Sequence, residues 1–286
     1  MPEDIALREA TPADAATLGR ICFDAFRSIS EQHNFEDAFP NVETATGNIA
    51  RSITHPGFYG VVAERNGTII GSNFLDERTT ISGVGPLTVD PAAQDRGVGR
   101  ALMRAVLERS AARGASGVRL LQSAYHMRSL ALYTSLGFVV RETLGVMVGA
   151  VPPVPVPGRL VRPASTSDLE ACNRACRQVH GFDRSGELAD GIAAGMALVV
   201  ETGGTVTGYA SMLGFGGHAA GLSDDDMKAL IGSGAPVTGP GLLVSVRSPL
   251  FAWCLEQKLR VAVVMTLMST GMYQEPQGSF MPSILL

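Results

Sequence analysis

The apolar and polar positions are best ordered between residues 84 and 141, where they alternate between two periods. The segment Val84–Val89 reads as a strand that ends at Asp90-Pro91. After Gly97 the apolar residues recur as Val98, Leu102, Ala105 and Val106, which is helical spacing, and Arg113-Gly114 signals the stop. Val118 to Gln122 predicts a second strand. His126 to Leu136 predicts a second helix closed by Gly137, and Phe138–Arg141 a third strand. Strands that alternate with helices in this way predict an α/β fold.

Between the first strand and the first helix lies Gln94-Asp95-Arg96-Gly97-Val98-Gly99, spaced as Q-x-x-G-x-G. A tight loop entering a helix leaves backbone N–H groups without intrahelical acceptors. Together with the helix dipole they favour an anion such as a phosphate or pyrophosphate. Two better-known glycine loops are excluded by residue identity. A Walker A loop needs Gly-Lys-Ser/Thr, and Gly99 is followed by Arg100-Ala101. A dinucleotide fingerprint needs a third glycine where Leu102 stands. A plain strand–turn–helix connection remains the alternative.

The loop Gln94-Asp95-Arg96-Gly97-Val98-Gly99 and the later Leu132-Tyr133-Thr134-Ser135-Leu136-Gly137-Phe138, in this order and separated by a helix and a strand, resemble the GNAT superfamily of acyl-CoA-dependent N-acetyltransferases. The resemblance covers roughly residues 5–148. It implies acetyl-CoA as co-substrate, a mixed and mostly antiparallel sheet flanked by helices, and two strands that splay around the cofactor. It also implies that Leu87, Thr88 and Val89 run beside the pantetheine arm. Gln94, Asp95, Arg96, Gly97, Val98, Gly99 and Arg100 then hold the pyrophosphate, and His126 and Ser129 touch the cofactor. His126 stands where the family commonly has Asn; an exposed helix start is the plainer reading. Tyr133 is implied as the general acid that protonates the departing thiolate, a phenol near pKa ~10 serving a thiol near ~8.5. The other reading of Tyr133 is a ring packed in the core with its hydroxyl at the edge.

No general base stands out. Family members often carry a Glu on the cofactor strand, but Val84–Val89 has none. Asp76 and Glu77 are the nearest acidic candidates; Glu31, His33, Glu36 and Asp37 lie in the Ser30–Gly47 loop, and a water chain is a further option. That loop also holds Phe35, Phe39 and Pro40 and is the candidate specificity element for the amine acceptor, unless its rings only pin it down.

Composition narrows the field. The chain has 286 residues, 45% hydrophobic and 17% charged, with a net charge of −4, which argues against nucleic-acid binding. The acidic Met1-Pro2-Glu3-Asp4 start is unlike a secretory signal, and Val261 to Met268 is too short to span a membrane, so a cytoplasmic protein is expected. Cys22, Cys172, Cys176 and Cys254 show no C-x-x-C pairing and read as buried thiols; no metal is implied.

Val151-Pro152-Pro153-Val154-Pro155-Val156-Pro157-Gly158 predicts an extended connector at 151–158. Beyond it the chain resembles its own beginning. Leu7-Arg8-Glu9-Ala10-Thr11-Pro12-Ala13-Asp14 parallels Val161-Arg162-Pro163-Ala164-Ser165-Thr166-Ser167-Asp168. In the same register Cys22 matches Cys176, and Gly67–Gly71 parallels Gly204–Gly208. The expectation is two tandem GNAT-like domains, 1–150 catalytic and 159–286 degenerate. Leu242–Val246 is taken as the second cofactor strand, with no glycine loop before the helix Pro249–Lys258. The activity expected is acetyl transfer to a primary amine by direct attack in a ternary complex. A protein or peptide acetyltransferase, another acyl-CoA transferase and a non-catalytic scaffold stay open, as do monomer and homodimer.

Overall fold

The computed structural model describes residues 5–284. The first half runs β1 (Ala6–Glu9), α1 (Ala15–Gln32), α2 (Val42–Thr54), β2 (Phe58–Arg65), β3 (Thr68–Asp76), β4 (Ile81–Val84), β5 (Thr88–Val89), α3 (Val98–Ala112), β6 (Gly117–Ser123), α4 (Met127–Ser135) and β7 (Val139–Val148). The second half runs β8 (Arg159–Pro163), α5 (Leu169–His180), α6 (Ser185–Ala193), β9 (Leu198–Thr202), β10 (Thr205–Ala210), β11 (Ala219–Gly221), α7 (Asp224–Ile231), β12 (Leu242–Ser245), α8 (Pro249–Glu256), β13 (Arg260–Gly271) and β14 (Ser279–Met281). With β4 and β5 taken as one broken strand, the order of strands and helices recurs from β8 to β13.

The recurrence extends to side chains. In β1, Arg8 pairs with Asp14 at 2.8 Å and with Glu64 of β2. In β8, Arg162 pairs with Asp168 at 2.8 Å and with Glu201 of β9. Both aspartates close a capping box, with Thr11 in one half and Ser165 in the other. Each half also turns its β2–β3 or β9–β10 hairpin on a left-handed glycine, Gly67 or Gly204.

Helices cover both faces of the strands. Leu102, Met103 and Val106 of α3 and Tyr133 of α4 pack on Val118 and Leu120 of β6. On the other face, Leu18 and Cys22 of α1 and Ile49 of α2 pack on Val62 and Phe74. Full burial of a side chain such as Leu102 or Phe74 contributes roughly 1.5–3 kcal/mol. In the second half, Cys176 and Val179 of α5 meet Val199 and Tyr209, while Leu230 of α7 and Leu250 of α8 meet Val200 and Leu242. All four cysteines are free and buried, as the sequence suggests.

The strands are not kept within their halves. The larger sheet runs β1-β2-β3-β4-β6-β13-β7-β12, with β5 added to β3. Strand β13 lies antiparallel between β6 and β7, with Met265–Gly271 opposite Ser123–Gly117. Strand β12 closes the far edge against β7. The proline connector therefore divides the chain in sequence but not the sheet. The smaller sheet runs β14-β11-β10-β9-β8. Element order also corrects the sequence alignment of the halves. The strand that precedes α7, as β5 precedes α3, is Ala219–Gly221, and Leu242–Ser245 matches β6.

Candidate functional site

The site begins where two parallel strands part. Strand β4 pairs with β6 from Ile81 opposite Gly117 to Val84 opposite Leu120. The segment that reads as one strand, Val84–Val89, is broken at residues 85–87. Its continuation, Thr88–Val89, pairs with Ser72 and Gly71 of β3. Strand β6 continues along β13 instead. One edge of residues 85–89 consequently faces an opening whose other wall is β6.

At the wide end of this opening stands the glycine loop. Asp90 accepts the Ala92 N–H at 2.8 Å and starts the turn. Gln94 donates from Nε2 to the Val89 carbonyl at 3.1 Å and accepts from Arg128 Nη2 at 3.0 Å. Arg128 also reaches Asp95 at 3.2 Å. The Gln94 side chain thus ties the loop to β5 and to the start of α4. Arg96 is exposed, and Arg100 donates to Ser135 at 2.9 Å. Gly97 has φ 82°, a left-handed conformation that costs other residues strain. The α3 ladder opens with Ala101 N–H to the Gly97 carbonyl at 3.0 Å. The N–H groups of Val98, Gly99 and Arg100 therefore precede it, without intrahelical acceptors. Val98, 1% exposed, anchors the turn in the core.

Gly99 answers whether the loop fits a pyrophosphate. A Cβ built there meets Leu132 at 3.5 Å and Val89 at 3.9 Å, which are ordinary contacts. Its φ is not left-handed either. Neither packing nor backbone demands glycine at 99, and its lack of a side chain leaves the backbone N–H groups open to a ligand such as a pyrophosphate.

Tyr133 is buried in the core with α3 and β6, its ring 6.1 Å from that of Phe138. Burial pushes its pKa up to about 12, and Ser129, one turn earlier, opposes the shift only in part. It therefore stays protonated throughout the neutral range, as a proton donor must. His126 is the N-cap of α4; its Nδ1 accepts the Ser129 N–H at 3.1 Å. Burial lowers its pKa, which favours the neutral ring that this bond requires. The cap explains its place as a helix start and leaves Nε2 for other partners.

Three of the sequence candidates for a base are engaged elsewhere. Asp76 is held by Arg78 at 2.6 Å. Glu77 pairs with Arg109 at 2.8 Å and Arg113 at 3.2 Å, both near the C-terminal end of α3. That is about 20 Å along the helix from the glycine loop. Glu31 pairs with Arg27 at 2.7 Å. The Ser30–Gly47 segment, of which only residues 33–41 lie outside α1 and α2, does approach the site through a contact that the sequence does not announce. Phe35 stacks on Tyr125 at 4.3 Å, and His33 lies 5.2 Å from the same ring. Tyr125 immediately precedes His126, so the loop leans on the entrance to α4. Arg128 and Tyr125 escape sequence reasoning because their partners are 33 and 90 residues away.

The second half differs at the matching strand edge. The edge of β11, counterpart of β5, is taken by the terminal strand β14, with Ala219 opposite Met281 and Gly221 opposite Ser279. The helix that follows, α7, begins with Asp224, Asp225 and Asp226, which would repel an anion at the position of the glycine loop. Counting from the caps His126 and Ser248, the residue matching Tyr133 in α8 is Leu255. Among the described residues no helix is long and apolar enough to cross a membrane, and no cluster of side chains could hold a metal.

Comparison with known proteins agrees with this geometry. Residues 22–138 match the family model described as Acetyltransferase (GNAT) family. The whole fold resembles that of a protein from Pyrococcus horikoshii designated an acetyltransferase, with a TM-score of 0.72 at 16% identity, covering 99% of this chain and 93% of that one. It also resembles a GCN5-related N-acetyltransferase from Sphaerobacter thermophilus, with a TM-score of 0.64 at 15% identity, covering 96% and 98% of the two chains. At such identities the likeness is one of fold. No curated protein sequence matches the chain. The parted strands, the glycine loop and the buried tyrosine all fall within the matched family segment or at its margin, and the chain carries a GNAT acetyltransferase domain at residues 22–138.

Proposed function

We propose that this protein transfers the acetyl group of acetyl-CoA to a primary amine by direct attack in a ternary complex. One observation carries the reading. The free edge of residues 85–89 leads directly to unpaired helix N–H groups at Val98–Arg100, with Tyr133 packed behind the same strands. Acetyl-CoA supplies an acetyl thioester; the rest of the chemistry belongs to the chain. Backbone groups of Leu87, Thr88 and Val89 hold the arm as a strand partner would. Gln94, Asp95, Arg96, Gly97, Val98, Gly99 and Arg100 form the pyrophosphate seat, and Gly99 keeps it shallow. A backbone N–H near Val89 faces the carbonyl oxygen as negative charge develops, an interaction worth ~3 kcal/mol in comparable sites.

The amine nitrogen forms the new C–N bond as the C–S bond breaks. Tyr133 gives its proton to the departing sulfur and recovers one from solvent. The proton lost by the amine leaves through water, because Asp76 and Glu77 are committed to arginines. His126 and Ser129 order the start of α4 and thereby place Tyr133.

The second half is a degenerate copy of the first, with the matching strand edge taken by β14. Strand β13 makes it a structural part of the catalytic sheet. The test is release of free thiol from acetyl-CoA in the presence of an amine panel. Turnover with any primary amine supports transfer; tight acetyl-CoA binding with no turnover on any amine leaves a scaffold.

A further inference from the structure

Other arginines in this protein meet carboxylates through one edge of the guanidinium. Arg78 donates Nε and Nη2 to Asp76 at 2.9 and 2.6 Å. Arg109 does the same to Glu77 at 2.8 and 3.2 Å. Arg119, on β6, is only 2% exposed, yet its Nε and Nη2 have no acceptor. Its Cζ lies 4.6 Å from the ring of Phe182 and 5.3 Å from that of Tyr273. These ring faces attract the cation but give its N–H groups no oxygen. Removal from water, with Arg184 nearby, pulls its pKa down to about 10. A cation so placed without a counter-anion is costly.

Its neighbours are short of partners too. His180 is 1% exposed with neither ring nitrogen bonded, and its ring lies 5.9 Å from Phe182. The hydroxyl of Tyr273 is buried without a partner. Three donors on one interface, from β6, the end of α5 and the 272–278 segment, therefore lack an acceptor among the described residues. Glu187, the buried carboxylate of this region, is bound to Arg184, Ser211 and the His218 N–H instead.

Position gives the cluster meaning. Val118 and Leu120 point into the core that contains Tyr133. Arg119, between them, points to the opposite face, where the second half packs. In the sheet it lies opposite Gly83, one step before Val84 and Leu120, where the strands part. With the thioester at that parting, an acceptor approaching from the face opposite Tyr133 would pass Arg119.

We infer that this interface seats the acceptor, and that the acceptor is an amine bearing a carboxylate, held side-on by Nε and Nη2 of Arg119. His180 and Tyr273 supply further donors, and Phe182 lies beside the apolar part of the molecule. The inference rests on the acetyltransferase reading and gives the second half a reason to remain: it carries Phe182, His180 and Tyr273.

The test uses the full chain with acetyl-CoA and matched amines that differ only in the carboxylate: phenylalanine with phenethylamine, leucine with isoamylamine, glutamate with 4-aminobutyrate. Wild type is expected to favour the α-carboxylated member of at least one pair by about 100-fold in kcat/KM. Arg119→Met is expected to lose that preference mainly through KM, with acetyl-CoA affinity unchanged, and Arg119→Lys to restore part of it. Turnover of the decarboxylated amines at equal efficiency, or a preference that survives in Arg119→Met, would overturn the inference. A second readout needs no turnover. The same amino acids should raise the unfolding temperature of wild type and not that of Arg119→Met, and equal shifts or none in wild type contradict the proposal. If wild type binds no acetyl-CoA, the acetyltransferase reading fails on its own, and the unfolding shifts still decide the role of Arg119.

Discussion

The two halves show what keeps a strand opening open. In the first, β4 and β6 part after Val84 and Leu120, and among the described residues no strand pairs with β5 on that side. In the second, β11 is followed by its helix in the same order, but β14 has taken its free edge. The helix starts differ in the same sense: glycines and free N–H groups at Gly97–Arg100, three aspartates at Asp224–Asp226. One opening is suited to an anionic thioester with a long arm. In the other the strand edge is taken, and the cleft that remains is lined by the carboxylates Glu142, Asp224 and Glu275. The same β-sheet physics serves both, since an unpaired strand edge must find a partner, and a cofactor arm or a terminal strand can supply it.

Substitutions can break this comparison, and the largest effect is expected at Tyr133. Tyr133→Phe should lower kcat by about 10²–10³ with little change in acetyl-CoA affinity. Its counterpart Leu255, 44% exposed, should tolerate Ala with no kinetic effect. Steady-state kinetics on both variants checks the pair; an unchanged kcat in Tyr133→Phe removes the phenol from the mechanism.

Next comes the strand that closes the second opening. Phe280 is 9% exposed and packs edge-on to His180. Phe280→Ala should cost about 3 kcal/mol in denaturant unfolding and create no second acetyl-CoA site, because the acidic helix start remains. A new site would show that β14 alone excludes the cofactor.

A smaller effect is expected from pH. Burial and the nearby arginines hold the His180 pKa down to about 3, while an unfolded imidazole takes a proton near ~6.5. Between these values the unfolded chain binds more protons, so stability falls as pH drops through that window. His180→Phe should recover about 2 kcal/mol of the loss between pH ~7 and pH ~5. Unfolding curves at the two pH values test it; an unaltered pH dependence would place the sensitivity elsewhere.

The smallest effect concerns the repeated ion pairs. Arg8 and Arg162 are each 37% exposed, so Arg8→Ala and Arg162→Ala should cost roughly 1 kcal/mol or less apiece, and similar amounts. A large disparity in unfolding free energy would mean that the matched geometry hides different roles.

Local chemistry made much of this legible in the sequence. Gly97 and Gly99 announce their loop, and the α3 stripe from Val98 to Val106 announces its helix, because both signals lie within a few residues. Arg8–Asp14 and Arg162–Asp168 are equally local, and they reveal the repeat. What the sequence does not show depends on long-range pairing. Val261–Met268 reads as a strand of the second half, yet β13, which contains it, has its hydrogen-bond partners in β6 and β7 of the first. Ser279–Met281 is too short to show a period. Leu242–Val246 resembles a cofactor strand by composition alone, and only the order of elements matches it to β6. Arg119 reads as an exposed alternate position of a strand until the packed second half makes it 2% exposed.

Calorimetric titration of acetyl-CoA into the wild-type protein and into Gly99→Trp tests the central claim most directly. One site in the wild type, lost in the variant, is the predicted result. It would place the cofactor at the Gln94–Gly99 loop and leave the second half empty. Two sites, or a single site that survives Gly99→Trp, would contradict the account.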